Sequence, residues 1–364
     1  MRSAMSHFTL TGHDYSSSDV FELERARMFS AGWQYLAREE YVANRGDVLV
    51  VDVAGESIIL VRDHDDVLHA HHNVCRHRGS RLCEPTTRSL KRAIKCPYHA
   101  WSYGLDGALI GTPNVATGEI DRASLSLWPV AVDVWQGFVF ASLDPEVQEL
   151  HAWLAEQGDS PIGFEHHELG DLRVGARTVS DVAANWKVLI ENYNECLHCP
   201  TVHPELVQLV PLYRSGNVVD DTRTDGGATL SAGSTSFTHT GRSLHPVLPG
   251  MDDAAVGSYF GCTVFPSMFL DITGTCAIAT RLDAKAAALT QITTEYLFTP
   301  AEIATPGFDP TDIVTFSELV AKQDYDVCER VQQGVSSRAF TRGVLAHKDE
   351  LLLEFHERYR RALA

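Results

Sequence analysis

Two short clusters constrain this chain more than anything else in it. The first reads C-R-H at Cys75–His77, the second C-P-Y-H at Cys96–His99, and eighteen residues separate them. Each cluster offers one thiolate and one imidazole. A fold that uses all four side chains must bring two loops together around one metal centre. Structural zinc is the bland competitor, but zinc patterns usually pair Cys with Cys and His with His, at spacings such as C-x2-4-C and H-x3-5-H. The C-x-H half is too short for those fingers.

Two sulfurs and two nitrogens, mixed within each cluster, are the ligand set of a Rieske 2Fe-2S centre. There one iron takes both Cys and the other takes both His. Ligand type discriminates between metals better than affinity does, which favours this reading over zinc. Neutral imidazoles in place of anionic thiolates make the reduced cluster easier to reach, so the chain handles single electrons. Respiratory-chain Rieske proteins tie their ligand loops with a further Cys pair. The matching positions here are Ser80 and Tyr98, which cannot form a disulfide, and the hydroxyl that follows the second His aligns with Trp101. Fewer hydrogen bonds to sulfur lower the potential, which suits a donor to a second redox site. Cys83, between the clusters, reads as a small buried hydrophobe.

A second constellation follows in N-W-K-V-L-I-E-N-Y-N-E-C-L-H-C-P-T-V-H-P-E-L, residues 185–206. Trp186, Leu189, Ile190 and Tyr193 fall at helical spacing, and Pro200 is expected to end the helix. His198 and His203 are five apart, on different faces of any continuous helix. A break at Pro200 would let both imidazoles turn toward one metal. Two His and one carboxylate on one face of iron leave positions open for oxygen and substrate. An isolated H-x4-H is commonly two unrelated histidines, and the adjoining Rieske motif reverses that weighting. Cys196 and Cys199 form C-x2-C without a second pair nearby, so they read as helix-packing residues.

With these blocks the chain resembles the large catalytic subunit of the Rieske non-haem iron oxygenases over nearly its whole length. W-x-Y-L-A-R-E-E near residue 33, N-V-C-R-H-R-G at 73–79, C-P-Y-H-A-W at 96–101, the 185–206 block, Q-D-x-D-x-C-E-x-x-Q at 323–332 and a closing F-H-x-R-Y helix carry the resemblance. It implies Cys75, His77, Cys96 and His99 as cluster ligands, and His198, His203 and Asp324 as ligands of a mononuclear Fe(II). Asp326 competes with Asp324, which is preferred because it follows Gln323 and precedes the Glu of E-x-x-Q by five residues, as in the family. The family's acidic residue three positions before the first His ligand is Glu195 here. It links the iron site of one subunit to the Rieske His of its neighbour. Most members carry Asp there. Glu is similar to the branch acting on choline, carnitine and glycine betaine, and the Y-N-E-C-L-H-C-P wording leans the same way. The resemblance further implies a homotrimer, a small-molecule substrate with O2, and a separate flavin/iron-sulfur reductase. A dinucleotide fingerprint after a strand is missing from the sequence, which agrees with an external reductant.

The fold expected is α+β. An N-terminal helical segment (1–37) packs on the catalytic domain, an all-β Rieske 2Fe-2S domain spans 38–150, and a catalytic mononuclear iron domain spans 151–364. By resemblance the last is a helix-grip domain with a curved antiparallel sheet. Length 364 accommodates two domains, and a formal net charge of −18 argues against nucleic acid as a partner. The N-terminus lacks a secretory pattern and no apolar run reaches about 20 residues, so a cytoplasmic, non-membrane protein is expected. Eight Cys over this length fit reduced usage plus a cluster.

Ser16–Ser18 can cap a helix over 19–29. Short β-branched runs fill 47–142, and His64, His69, His71 and His72 read as surface residues on a strand. After a helix near 146–156, strands are expected at 172–179, 258–271, 275–282 and 290–298, and helices at 311–334 and 347–363. Tyr193, Phe260, Phe265, Met268, Phe269 and Tyr296 are candidate pocket walls. They suit a cage for a quaternary ammonium group, an aromatic ring, or plain core. D-I-T-G-T-C at 271–276 departs from choline- and betaine-type members, so aromatic acids and N- or O-demethylation stay open. Three function classes follow: an oxygenase, which is favoured; a non-catalytic Rieske electron carrier, for which about 100 residues suffice; and a zinc-stabilised scaffold.

Overall fold

The computed structural model describes residues 7–157, 161–223 and 226–364. It divides into two compact units: Arg25–Ala152, and the described residues through Glu24 together with Trp153–Ala364. The first boundary therefore falls at Glu24 and not at residue 37. Strand Gln34–Arg38 explains the shift, because it pairs antiparallel with Phe138–Ser142 and so belongs to the β unit.

The Arg25–Ala152 unit is a six-stranded antiparallel sheet in the order Gln34–Arg38, Phe138–Ser142, Pro129–Trp135, Leu68–His72, Glu56–Arg62, Val48–Val53. A small sheet of Ile94–Lys95, Ser102–Tyr103 and Leu109–Gly111 carries the second ligand loop at its first turn. Ile58, Ile59, Leu60 and Val61 are all fully buried, so this strand is covered on both faces and its sequence does not alternate. His71 departs from the surface expectation: it is 3% exposed, its Nε2 lies 3.0 Å from the Leu105 carbonyl, and burial lowers its pKa. His69 instead pairs with Asp63 at 2.8 Å.

The second unit carries another six-stranded antiparallel sheet, ordered Arg173–Val182, Leu289–Phe298, Cys276–Ala286, Met268–Thr273, Ser258–Val264, Gly227–Thr229. The expected strand 258–271 is two strands forming a hairpin, with Phe260 opposite Ile272 and Val264 opposite Met268. Pro266, which has no N–H to give a ladder, sits at the turn. Its longest helices are Trp186–Tyr193, Thr311–Val335 and Glu350–Leu363. The predicted helix over 19–29 is α-helical only across Ser18–Glu24, and Arg25–Phe29 winds as π-helix with Ser30 N–H bonding the Arg25 carbonyl at 3.1 Å.

Long-range anchoring of Trp186–Tyr193 decides where the site lies. Asn185 caps the helix by accepting from Lys187 N–H at 3.0 Å, and its own N–H donates to Gln332 Oε1 at 2.9 Å. Ala183 N–H donates to Glu329 Oε1 at 3.0 Å. Asp324, Cys328 and Gln332 recur every fourth residue along one face of Thr311–Val335. The E-x-x-Q motif therefore clamps the segment that leads into His198 and His203.

Beneath this clamp lies a fully buried ion pair between Lys187 Nζ and Glu24. Glu24 also accepts from Trp186 Nε1 at 2.9 Å and from the Tyr359 hydroxyl at 2.8 Å. Burial pulls the Lys187 pKa down, against the opposing charge of Glu24. Removing one member strands the other charge away from water, so Glu24→Ala is expected to destabilise this unit by about 3–5 kcal/mol. Thermal unfolding followed by tryptophan fluorescence checks this. A Glu24→Gln, Lys187→Met double variant should recover much of the loss.

Candidate active site

Cys75 follows strand Leu68–His72, and Cys96 follows Ile94–Lys95; both are 2% exposed, and neither is in a disulfide. Each ligand loop closes on itself. Cys75 N–H bonds the Ser80 carbonyl at 2.8 Å and Gly79 N–H the Cys75 carbonyl at 3.0 Å, while Cys96 N–H bonds Trp101 O at 2.8 Å and Ala100 N–H bonds Cys96 O at 3.1 Å. Both loops turn through left-handed residues, Gly79 at φ 71° and Ala100 at φ 58°. The His77 and His99 rings come within 4.7 Å, and Trp101 stacks flat on His77 at 4.6 Å.

This donor set fits a diiron cluster. Among the described residues His99 Nδ1 is buried without a hydrogen-bond partner, as a ring nitrogen reserved for a metal would be. Burial opposes thiolate formation at Cys96, but the backbone N–H groups of Tyr98 and His99 outweigh it and lower the pKa. At Cys75 burial wins and the pKa rises. The expectation of few hydroxyls near sulfur is half met: Trp101 brings none, yet the Tyr103 hydroxyl lies 3.3 Å from Cys75 Sγ and accepts from Arg76 N–H at 3.0 Å. Cys83 is buried at 4% exposure, with a thiol pKa pushed up to about 11 by burial and then by Glu84.

In the second unit, helix Trp186–Tyr193 ends well before Pro200. Pro200 instead occupies the first turn of a new short helix, Cys199–Val202, where its missing N–H costs nothing. His198 caps this turn and His203 ends it, so five residues of separation become one point of convergence. His198, His203 and Asp324 present ligand atoms within 4.8 Å of one another. Both Nε2 atoms meet Asp324 Oδ1, at 3.3 Å from His198 and 2.8 Å from His203.

The opposite ring nitrogens fix the tautomers. His198 Nδ1 lies 2.5 Å from Glu195 Oε1, and His203 Nδ1 lies 2.8 Å from Gln323 Oε1. A protonated Nδ1 donating to these oxygens leaves each Nε2 lone pair for a metal. Burial disfavours charge on His198, but Asp324 and Glu195 overcome it and lift the pKa to about 9. Burial likewise opposes ionisation of Asp324, and the two imidazoles reverse it, holding the carboxyl below its usual range. The site attracts positive charge at one point. Two imidazoles and a carboxylate, with Asn192 Nδ2 3.4 Å from His198 Nε2, fit a ferrous ion with open positions. Asp326, the competing carboxylate, faces solvent and pairs with Lys322 at 3.1 Å.

A cavity of about 180 Å³ opens onto this triad, walled by Tyr193, Phe237, Tyr259, Phe269, Phe316 and Tyr325 among others. Of the six expected wall residues it uses Tyr193 and Phe269. Phe260 points to the other face of its strand, against Phe164 and His167; Phe265 packs on Trp186 and Phe355; Met268 is core; and Tyr296 is fully buried, its hydroxyl 3.5 Å from the cavity residue Glu318. Tyr259 and Asp271 went unseen by sequence reasoning, although strand alternation from Phe269 would have placed Asp271 on the cavity face. Cys196 and Cys199 are buried as expected, but their sulfurs are joined in a disulfide across a Cα separation of 4.9 Å.

A Rieske [2Fe-2S] domain matches residues 32–131, and the catalytic domain of the ring-hydroxylating alpha subunit matches residues 169–364. The chain belongs to the ring-hydroxylating alpha-subunit family. It is 30% identical over 339 residues to the carnitine monooxygenase oxygenase subunit of Escherichia coli K12, covering 92% of this chain and 86% of that protein. It is 36% identical over 193 residues to the glycine betaine monooxygenase oxygenase subunit of Chromohalobacter salexigens, covering 53% of this chain and 42% of the relative. A solved quaternary ammonium Rieske monooxygenase, described for carnitine oxidation by gut microbiota and inter-subunit electron transfer, superposes with a TM-score of 0.81 at 25% identity, over 99% of this chain and 96% of its own. This Rieske alpha subunit is thus an oxidoreductase of the oxygenase class, with an all-β 2Fe-2S domain and an α+β catalytic domain that binds mononuclear iron. Among the described residues no helix is long and apolar enough to cross a membrane.

Proposed function

We propose that this alpha subunit is the terminal oxygenase of a multicomponent system that oxidises a small quaternary ammonium or N-methylated compound. Cys75, His77, Cys96 and His99 hold the Rieske cluster; His198, His203 and Asp324 hold the iron. The observation that carries this reading is the aromatic cavity opening directly onto the His198–His203–Asp324 convergence. When bound, the cluster supplies single electrons and the ferrous ion supplies oxygen activation.

The chain's own residues do the rest. Glu195 and Gln323 hold the Nδ1 protons of the two imidazoles, and Gln323 is itself braced by Glu205 at 3.2 Å. Leu189, Ile278, Ile292 and Phe316 line the cavity with apolar surface and exclude water. The aromatic rings lining the cavity suit an ammonium group through cation–π attraction, although Tyr193 and Phe269 stack on each other at 4.0 Å and offer only their outer faces. Electrons come from a separate flavin/iron-sulfur reductase. The subunits form a homotrimer in the cytoplasm, in which Glu195 connects the Rieske histidines of one subunit to His198 of the next. The inter-subunit transfer described for the structural relative supports this arrangement.

Oxygen uptake coupled to product detection, with a supplied reductase, tests the reading. Uptake should depend on N-methylated ammonium compounds and not on aromatic acids. Turnover of aromatic acids alone by fully iron-loaded protein would overturn it.

A further inference from the structure

The cavity's charge is one-sided. Its lining includes four carboxylates, Glu195, Asp271, Glu318 and Asp324, and among the described lining residues neither Lys nor Arg occurs. Three of the four are committed. Glu195 and Asp324 serve the imidazoles, and Glu318 accepts from the Thr178 hydroxyl at 2.8 Å. Asp271 is different. Tyr193 and Tyr259 both donate to the same oxygen, Oδ1, each at 2.6 Å. Among the described residues its Oδ2 has no hydrogen-bond partner, and the residue is half-buried on the cavity wall.

This arrangement is built. Gly261 sits directly across the sheet from Asp271, and a Cβ there would lie 2.2 Å from the Tyr259 hydroxyl and 3.0 Å from that of Tyr193. The absent side chain is what lets both hydroxyls reach Oδ1. Burial raises the Asp271 pKa and the two phenols oppose it only in part, so without a cation beside it an ionised carboxylate here is costly. Around it stand the rings of Tyr193, Tyr259, Phe269 and Phe237, the last 4.9 Å from Tyr259.

We propose that Asp271 is the counter-ion for the substrate's ammonium group, and that the substrate is a net cation without a carboxylate of its own. This deepens the proposed function and rests on it. A zwitterionic betaine would bring a second carboxylate into a cavity whose cationic character is confined to the iron triad and whose described lining offers no Lys or Arg to receive it, which works against binding. An N-methylated amine or amino alcohol brings only the charge the site lacks. The substrate preference thereby separates this chain from relatives named for carnitine and glycine betaine.

The test uses the iron-loaded holoenzyme with reductase, comparing choline and tetramethylammonium with glycine betaine and carnitine, and with the neutral isostere 3,3-dimethylbutanol. The cations should show kcat/KM at least about tenfold above the zwitterions. Asp271→Asn, which keeps an acceptor for both tyrosines, should raise KM for the cations about tenfold or more while leaving binding of the neutral isostere and the iron content unchanged. Asp271→Glu should restore part of the cation preference. Preference for the zwitterions, or an equal loss for cation and neutral isostere in Asp271→Asn, would overturn the counter-ion role yet leave the oxygenase reading standing. Turnover of aromatic acids alone would instead remove the reading beneath it.

Discussion

Asp324→Ala is expected to abolish turnover and lower the iron content from about three atoms per chain to about two, with the cluster's visible and electron-resonance spectra retained. The carboxylate is the point at which the two Nε2 atoms meet, at 2.8 and 3.3 Å. Without it two neutral imidazoles remain, too few donors and no charge to hold a dication. Asp326→Ala is the matched control. It lies two residues along the same helix, but its side chain is 53% exposed and its partner Lys322 is 74% exposed, so activity and iron should be unchanged. A third iron retained in Asp324→Ala, or equal losses in both variants, refutes the ligand assignment.

Glu195→Ala should lower turnover by at least about 100-fold while leaving cluster absorbance in place. Two roles converge on this side chain. Its Oε1 meets His198 Nδ1 at 2.5 Å and its Oε2 accepts from Leu197 N–H at 2.5 Å, which holds the imidazole's orientation. Under the trimer proposal it also bridges to the neighbour's Rieske histidines. Rapid mixing of pre-reduced protein with oxygen and substrate separates the roles. A relay predicts slow oxidation of the cluster at full iron occupancy, whereas positioning alone predicts lost iron with the cluster oxidation rate tracking occupancy. Glu195→Gln keeps an acceptor for His198 but loses the charge, so near-normal activity there assigns the residue to positioning. Turnover near wild type in Glu195→Ala contradicts the interfacial route.

The expectations that failed divide between local reversals and one long-range contact. Strand 258–271 read as one run because its apolar content is continuous, and the reversal at Pro266 shows only in pairing such as Val264 with Met268. Pro200 read as the end of one helix, when it begins the next. His71 read as surface because its neighbours alternate, but the loop carrying Leu105 folds over it. Only at His71 did a segment distant in sequence set the outcome; the other two are local reversals that apolar content and proline position do not distinguish from a continuing strand or an ending helix.

The amino-acid sequence by itself determined the chemistry of the two metal sites. Donor types and short spacings are local properties: C-x-H with C-x2-H can offer little but mixed sulfur and nitrogen ligation, whatever surrounds it. The family resemblance already preferred Asp324 over Asp326; tertiary structure brought Asp324 to the two histidines and alone decided what lines the cavity. Asp324 is 121 residues from His203, and Asp271 is 78 from Tyr193. Contacts over such distances follow from helix phase and sheet register, where a one-residue slip would turn Asp271 away from the cavity.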